Sequence, residues 1–68
     1  MKSVSGKDFA RLLQRKGWQL ARVSGSHHIF KMAGRREHIS LPIHGNQSLK
    51  PGLLRHFMEI ADIEESEL

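Results

Sequence analysis

Two adjacent histidines stand in the run Gly25-Ser26-His27-His28-Ile29-Phe30-Lys31. An imidazole exchanges its proton near neutral pH, so a positioned one can act as base or acid on a phosphodiester. If the run is extended, Ser26, His28, Phe30 and Met32 point to one face and His27, Ile29 and Lys31 to the other. The first set is the more apolar and is expected to face the core. His27 then stands on the open face with Lys31, an imidazole and a fixed cation on one surface. The competing reading of each histidine is structural, and for His28 it is a hydrogen-bonded residue of the core side. A single bulge would exchange the two roles.

Other chemistries find less support. Adjacent strand histidines point apart and no carboxylate cluster accompanies them, so no metal is expected. With no cysteine there is no thiolate nucleophile and no disulfide. Nothing in the sequence calls for a small-molecule cofactor.

The charge balance points to a polyanion. The 68 residues carry 11 Lys and Arg against 7 Asp and Glu, for a net charge of +4, with nucleic acid the first partner to consider. Glu59, Asp62, Glu64, Glu65 and Glu67 crowd the C-terminal end, which leaves residues 1–56 more basic than the total suggests. That acidic end is expected to be a solvated helix end or a fraying terminus. Residues 1–6 lack the apolar run of a signal peptide, no stretch is long enough to span a membrane, and a cytoplasmic location fits.

The elements that must position the histidines are readable by local rules. Ser5 caps a first helix with Asp8 three residues on; Phe9, Leu12 and Leu13 form its apolar stripe, and Gly17 ends it. Trp18 to Val23 is a first strand, with Trp18, Leu20 and Arg22 alternating against Gln19, Ala21 and Val23, and Ser24-Gly25 is the turn into the histidine strand. Ala33-Gly34-Arg35-Arg36 makes a basic hairpin tip. Glu37 to Pro42 is a third strand, in which Ile39 and Leu41 share a face. After the loop Ile43 to Leu49, Pro51 opens a last helix whose buried stripe is Leu53, Leu54, Phe57, Ile60 and Ala61, with Met58 flanking it. The prediction is one α+β domain over 1–68, α-β-β-β-α, with two helices on one face of a three-stranded antiparallel sheet and the other face open.

Several fragments, in order, resemble the HicA toxin family, the small endoribonuclease half of type II toxin–antitoxin pairs. They are Ser5-Gly6-Lys7, Leu12-Leu13, Gly17-Trp18, the run Gly25 to Lys31, Pro42-Ile43-His44-Gly45-Asn46 and Leu49-Lys50-Pro51-Gly52-Leu53-Leu54-Arg55. The resemblance covers about residues 3–63. It implies a fold like a double-stranded-RNA-binding domain, cleavage of mRNA without a metal, and inhibition by a HicB-type antitoxin that covers the active surface. The essential histidine of the family carries over to His27 first and His28 second. Two departures stand out: Leu53 where Thr is common, and Ala61-Asp62-Ile63 in place of the usual Ala-Gly-Ile.

On this reading His27 is the base in a metal-free attack by the RNA 2′-hydroxyl on its own phosphate. Ser26 and Lys31 contact that phosphate, Arg35, Arg36 and Lys50 hold the RNA backbone, and His44 is the residue considered as acid. The rival is a non-catalytic RNA-binding module of the same fold, which would bind RNA without His27 and cut none. A third reading is a protein-interaction domain whose basic surface serves an acidic partner.

Overall fold

The computed structural model describes residues 2–68 and has the expected order of helix, three strands and helix, an α+β arrangement. Helix α1 spans Gly6–Arg15, strands β1, β2 and β3 span Gln19–Ser24, His27–Lys31 and His38–Pro42, and helix α2 spans Pro51–Ala61. A short 3-10 turn follows at Glu65–Glu67. Among the described residues, no helix is long and apolar enough to cross a membrane.

Helix α1 starts and stops by local chemistry. The Ser5 hydroxyl accepts from the Asp8 N–H at 3.2 Å, which satisfies one of the amides a helix start leaves without a partner. At the other end Gly17 takes φ +100. Trp18 N–H then donates to the Leu13 carbonyl at 2.9 Å and Gly17 N–H to Gln14 at 3.1 Å, closing the helix as a Schellman motif. The reversal turns Trp18 into the core, where it is 2% exposed.

Helix α2 closes with the same pair of bonds but without a glycine. Ile63 N–H donates to Met58 at 2.9 Å and Asp62 N–H to Glu59 at 3.4 Å, with Asp62 at φ 55, ψ 44 in the left-handed region. Its buried stripe is Leu54, Phe57, Met58 and Ala61, while Leu53 and Ile60 are only partly buried. The i, i+3, i+4, i+7 spacing of the first set corrects the expected stripe: Met58 belongs to it, and Leu53 and Ile60 form its flanks.

The sheet has the order β1-β2-β3 with both pairs antiparallel. Phe30, Ile39 and Leu41 are buried in one cluster with Phe9, Leu13, Leu54 and Phe57, and the Phe9 and Phe57 rings lie 6.1 Å apart. Both helices therefore cover the face of the sheet that carries Phe30. Burying these side chains at about 25 cal/mol per Å² is the main driving force available to a chain of this size. Val4 and Leu49 join the cluster because Leu49 N–H donates to the Val4 carbonyl at 2.8 Å beside a Ser5–Ser48 bridge.

Gly6 sets how closely α1 approaches the sheet. A Cβ there would stand 2.5 Å from the Pro42 carbonyl oxygen and 3.0 Å from Ile43 Cγ1, so only glycine permits this contact.

The acidic C-terminal end is solvated as expected at Glu59, Asp62, Glu64 and Glu65, which are exposed, but its last turn is docked on α1. Ile63 is buried, Glu67 pairs with Lys16 at the end of α1, and Glu64 N–H donates to the Glu67 carboxylate at 2.9 Å. That backbone bond, and then Lys16, hold the Glu67 carboxyl below its ordinary range.

Candidate functional site

The site is built outward from the turn between β1 and β2. Ser24 pairs with His27, so the two-residue connection is Gly25-Ser26, with Gly25 at φ +60 in the position where tight hairpins favour glycine. This corrects the expected Ser24-Gly25 turn. Ser26 consequently lies in the turn, half-buried, and its carbonyl accepts from Ile43 N–H at 2.9 Å.

Counting back from this turn places the residues of the open face. Cross-strand partners share a face, and Phe30 and Ile39, which are partners, mark the helix side. The opposite face therefore carries the row Ser24, His27, Pro42, then Arg22, Ile29, Ser40, then Gln19, Lys31, His38. His27 and Lys31 do lie on the uncovered face, as expected, and both are exposed. They are not neighbours, however. Four residues along one strand separate their Cα atoms by about 13 Å, so Lys31 marks the far end of the face.

Arg22 is where sequence alternation goes wrong. Leu20 pairs with Phe30 and Arg22 with Ile29, so the register shifts between them and Ala21 is the extra residue of a β-bulge. The bulge reconciles the two ends of β1. Trp18 is fixed in the core by the end of α1, and Ser24 is fixed opposite His27 by the turn. Arg22, expected on the face of Trp18 and Leu20, is thereby moved to the open face. The signal that could have found it is the two-residue turn, from which alternation runs backward correctly.

His28 lies on the helix side with Val23 and Leu41 as cross-strand partners and is half-buried. The expected hydrogen bond at its core side is missing at one nitrogen: among the described residues, buried Nδ1 has no partner.

The remaining candidates divide. Arg36 is exposed in the connection between β2 and β3, and Lys50 is exposed at the N-cap of α2, where no side chain caps the helix. His44 is exposed two residues beyond Pro42, the partner of His27. Arg35, expected at a basic tip, is instead folded onto the helix side. Its Nη1 donates to the Ile60 carbonyl, its Nη2 binds Asp62 Oδ2 at 2.6 Å, and its guanidinium lies 5.7 Å from the Trp18 ring centroid. It therefore supports the left-handed end of α2. In contrast, the side chains of Arg22, His27 and Lys31 form no hydrogen bond or ion pair among the described residues. Among those residues no three His, Asp or Glu side chains gather as a metal-binding group.

A helix-backed antiparallel sheet with an uncovered, cationic face and a histidine pair at its central strand defines the class of this small α+β domain. The model of the HicA toxin of bacterial toxin–antitoxin systems matches residues 6–63 of the 68-residue chain, and the chain belongs to that family. Membership makes it a toxin-type component of a toxin–antitoxin system with an antitoxin as partner. No curated protein matches the chain. The 3-10 turn at Glu65–Glu67 lies outside the matched residues.

Proposed function

We propose that this chain is a metal-independent endoribonuclease that cleaves mRNA, with the open face of the sheet as its RNA surface and a HicB-type antitoxin as its inhibitor. The observation that carries the reading is the placement of His27. It stands on the central strand, exposed, on a face whose cations have no partner within the described residues. Family membership supports the toxin role, and the fold suits the expected likeness to double-stranded-RNA-binding domains.

The proposed reaction uses only groups of the RNA and the protein. His27 takes the proton of a ribose 2′-hydroxyl; the 2′-oxygen forms a bond to the adjacent phosphorus, and the bond from phosphorus to the 5′-oxygen of the next nucleotide breaks. The products are a 2′,3′-cyclic phosphate and a 5′-hydroxyl, the latter taking a proton from an acid for which His44 is the candidate. Ser26, Lys31, Arg36 and Lys50 contact the RNA backbone. Such contacts position the strand without reading its sequence. Arg35, engaged with Ile60 and Asp62, is left out of the interface. His28 is the second candidate base, and its unpartnered Nδ1 is the observation that keeps it. The working compartment is the cytoplasm, where mRNA is met.

The test is induced expression with growth and RNA integrity as readouts, and purified protein on RNA with EDTA present, for the wild type, His27→Ala and His28→Ala. The expected outcome is arrest and cleavage by the wild type, and a folded His27→Ala that cuts about 10²–10⁴-fold more slowly. Loss with His28→Ala alone moves the base to the helix side of β2. A wild type that binds RNA and cuts none with EDTA present overturns the nuclease reading in favour of the binding module.

A further inference from the structure

We infer that Arg22 is the phosphate-holding group beside His27, the residue that seats the single-stranded RNA backbone against the base. The inference rests on the proposed RNA cleavage for its substrate, but on the strand geometry for its residue.

Three observations converge on Arg22. The Gly25-Ser26 turn pairs Ser24 with His27, so Arg22 falls opposite Ile29 in the next row of the same face. A residue diagonal to its cross-strand neighbour is about 7–8 Å away by Cα, whereas Lys31 is about 13 Å from His27 along the strand. Of the two cations in these rows, Arg22 alone can reach a phosphate that His27 also touches. The bulge at Ala21 then explains how an arginine comes to this face at all, since unbroken alternation from the buried Trp18 would have sent it to the other side. Bulges commonly re-aim a side chain in this way.

The chemistry fits a phosphodiester. A guanidinium keeps its charge at any working pH, and its planar fork offers paired N–H donors that match two phosphate oxygens. The Arg22 side chain is exposed and has no acceptor among the described residues, unlike Arg11 with Asp8 and Arg35 with Asp62. The site thus has a polar group for each need: His27 for the proton and Arg22 for the charge on phosphorus-bound oxygen.

The experiment measures binding of a fluorescent single-stranded oligoribonucleotide against salt, in a His27→Ala background that cannot cut, with Arg22→Ala, Arg22→Lys and Arg11→Ala added in turn. Arg11→Ala removes the same charge from α1 and serves as the control. Circular dichroism checks each fold, and Arg22→Gln replaces Arg22→Ala should the latter unfold. Loss of Arg22 is expected to weaken binding about tenfold and to lower the salt slope by about 0.7. Arg22→Lys should restore the slope but not the full affinity, and Arg11→Ala should do neither. Cleavage by Arg22→Ala in the His27-containing protein should fall in parallel. An unchanged slope and affinity, or an equal loss with Arg11→Ala, overturns the assignment. If the wild type binds RNA with this Arg22 dependence but never cuts it, the nuclease reading fails and Arg22 stands. If it binds no RNA, both fall.

Discussion

The open face of the sheet and the corner where α2 ends handle the same kind of side chain in opposite ways. On the open face Arg22, His27 and Lys31 stand exposed, with no hydrogen bond or ion pair among the described residues. At the corner Arg35 meets the Ile60 carbonyl, Asp62 and the Trp18 ring at once. On the proposed reading, the arginine at the corner is held by partners in its own chain, while the cations of the open face are left for the RNA. A basic residue type alone therefore says little about RNA.

Substitutions can break or sharpen this contrast. The largest effect expected is on rate: His27→Ala should lower RNA cleavage by about 10²–10⁴-fold while leaving the melting temperature nearly unchanged. A large fall in melting temperature would show that the open face is part of the scaffold after all. Gly6→Ala should act where α1 packs on the end of β3, because the added methyl would press on the Pro42 carbonyl and Pro42 pairs with His27. Overpacking of this kind costs about 1–3 kcal/mol, more than alanine returns in helix propensity, so both thermal stability and cleavage should drop. Wild-type behaviour of Gly6→Ala would mean that α1 does not set the position of the β3 end.

Arg35→Ala should be the mirror of His27→Ala. Losing the Ile60 bond and the half-exposed pair with Asp62 should cost about 1–2 kcal/mol, a drop of about 5–10 °C in a chain of this size. The salt slope of RNA binding should stay the same; a slope that falls with Arg35→Ala would put this residue on the RNA surface and erase the contrast. The smallest effect belongs to Asp62→Gly, measured by thermal melting. Glycine relieves the left-handed backbone by about 1 kcal/mol and forfeits an ion pair worth less than that where Asp62 is 76% exposed. Unchanged or slightly raised stability is expected, and a clear loss would show that the Arg35 contact dominates the helix end.

These contrasts also mark where the sequence is legible. The ends of both helices, the Pro51 start and the burial of Ile39 and Leu41 follow from neighbours a few residues apart, so local rules find them. The face of Arg22 does not, because Leu20-Ala21-Arg22-Val23 shows no polar alternation that would locate an extra residue, and the register is imposed from both ends. Nor does the role of Arg35, whose partner Asp62 is 27 residues away. The docked acidic end was hidden for the same reason: Lys16 and Glu67 meet only once the chain has folded back on α1.

The extra residue at Ala21 has one more effect, on the company the molecule keeps. Strand β1 is an outer strand whose Leu20 and Val23 are exposed, and an even ladder of free amides beside such side chains would recruit copies of the chain edge to edge. A bulge in the middle leaves no uninterrupted stretch longer than Arg22 to Ser24 for a second strand to read. The irregularity that presents an arginine to one side thus also interrupts the β1 edge along which a second strand would pair.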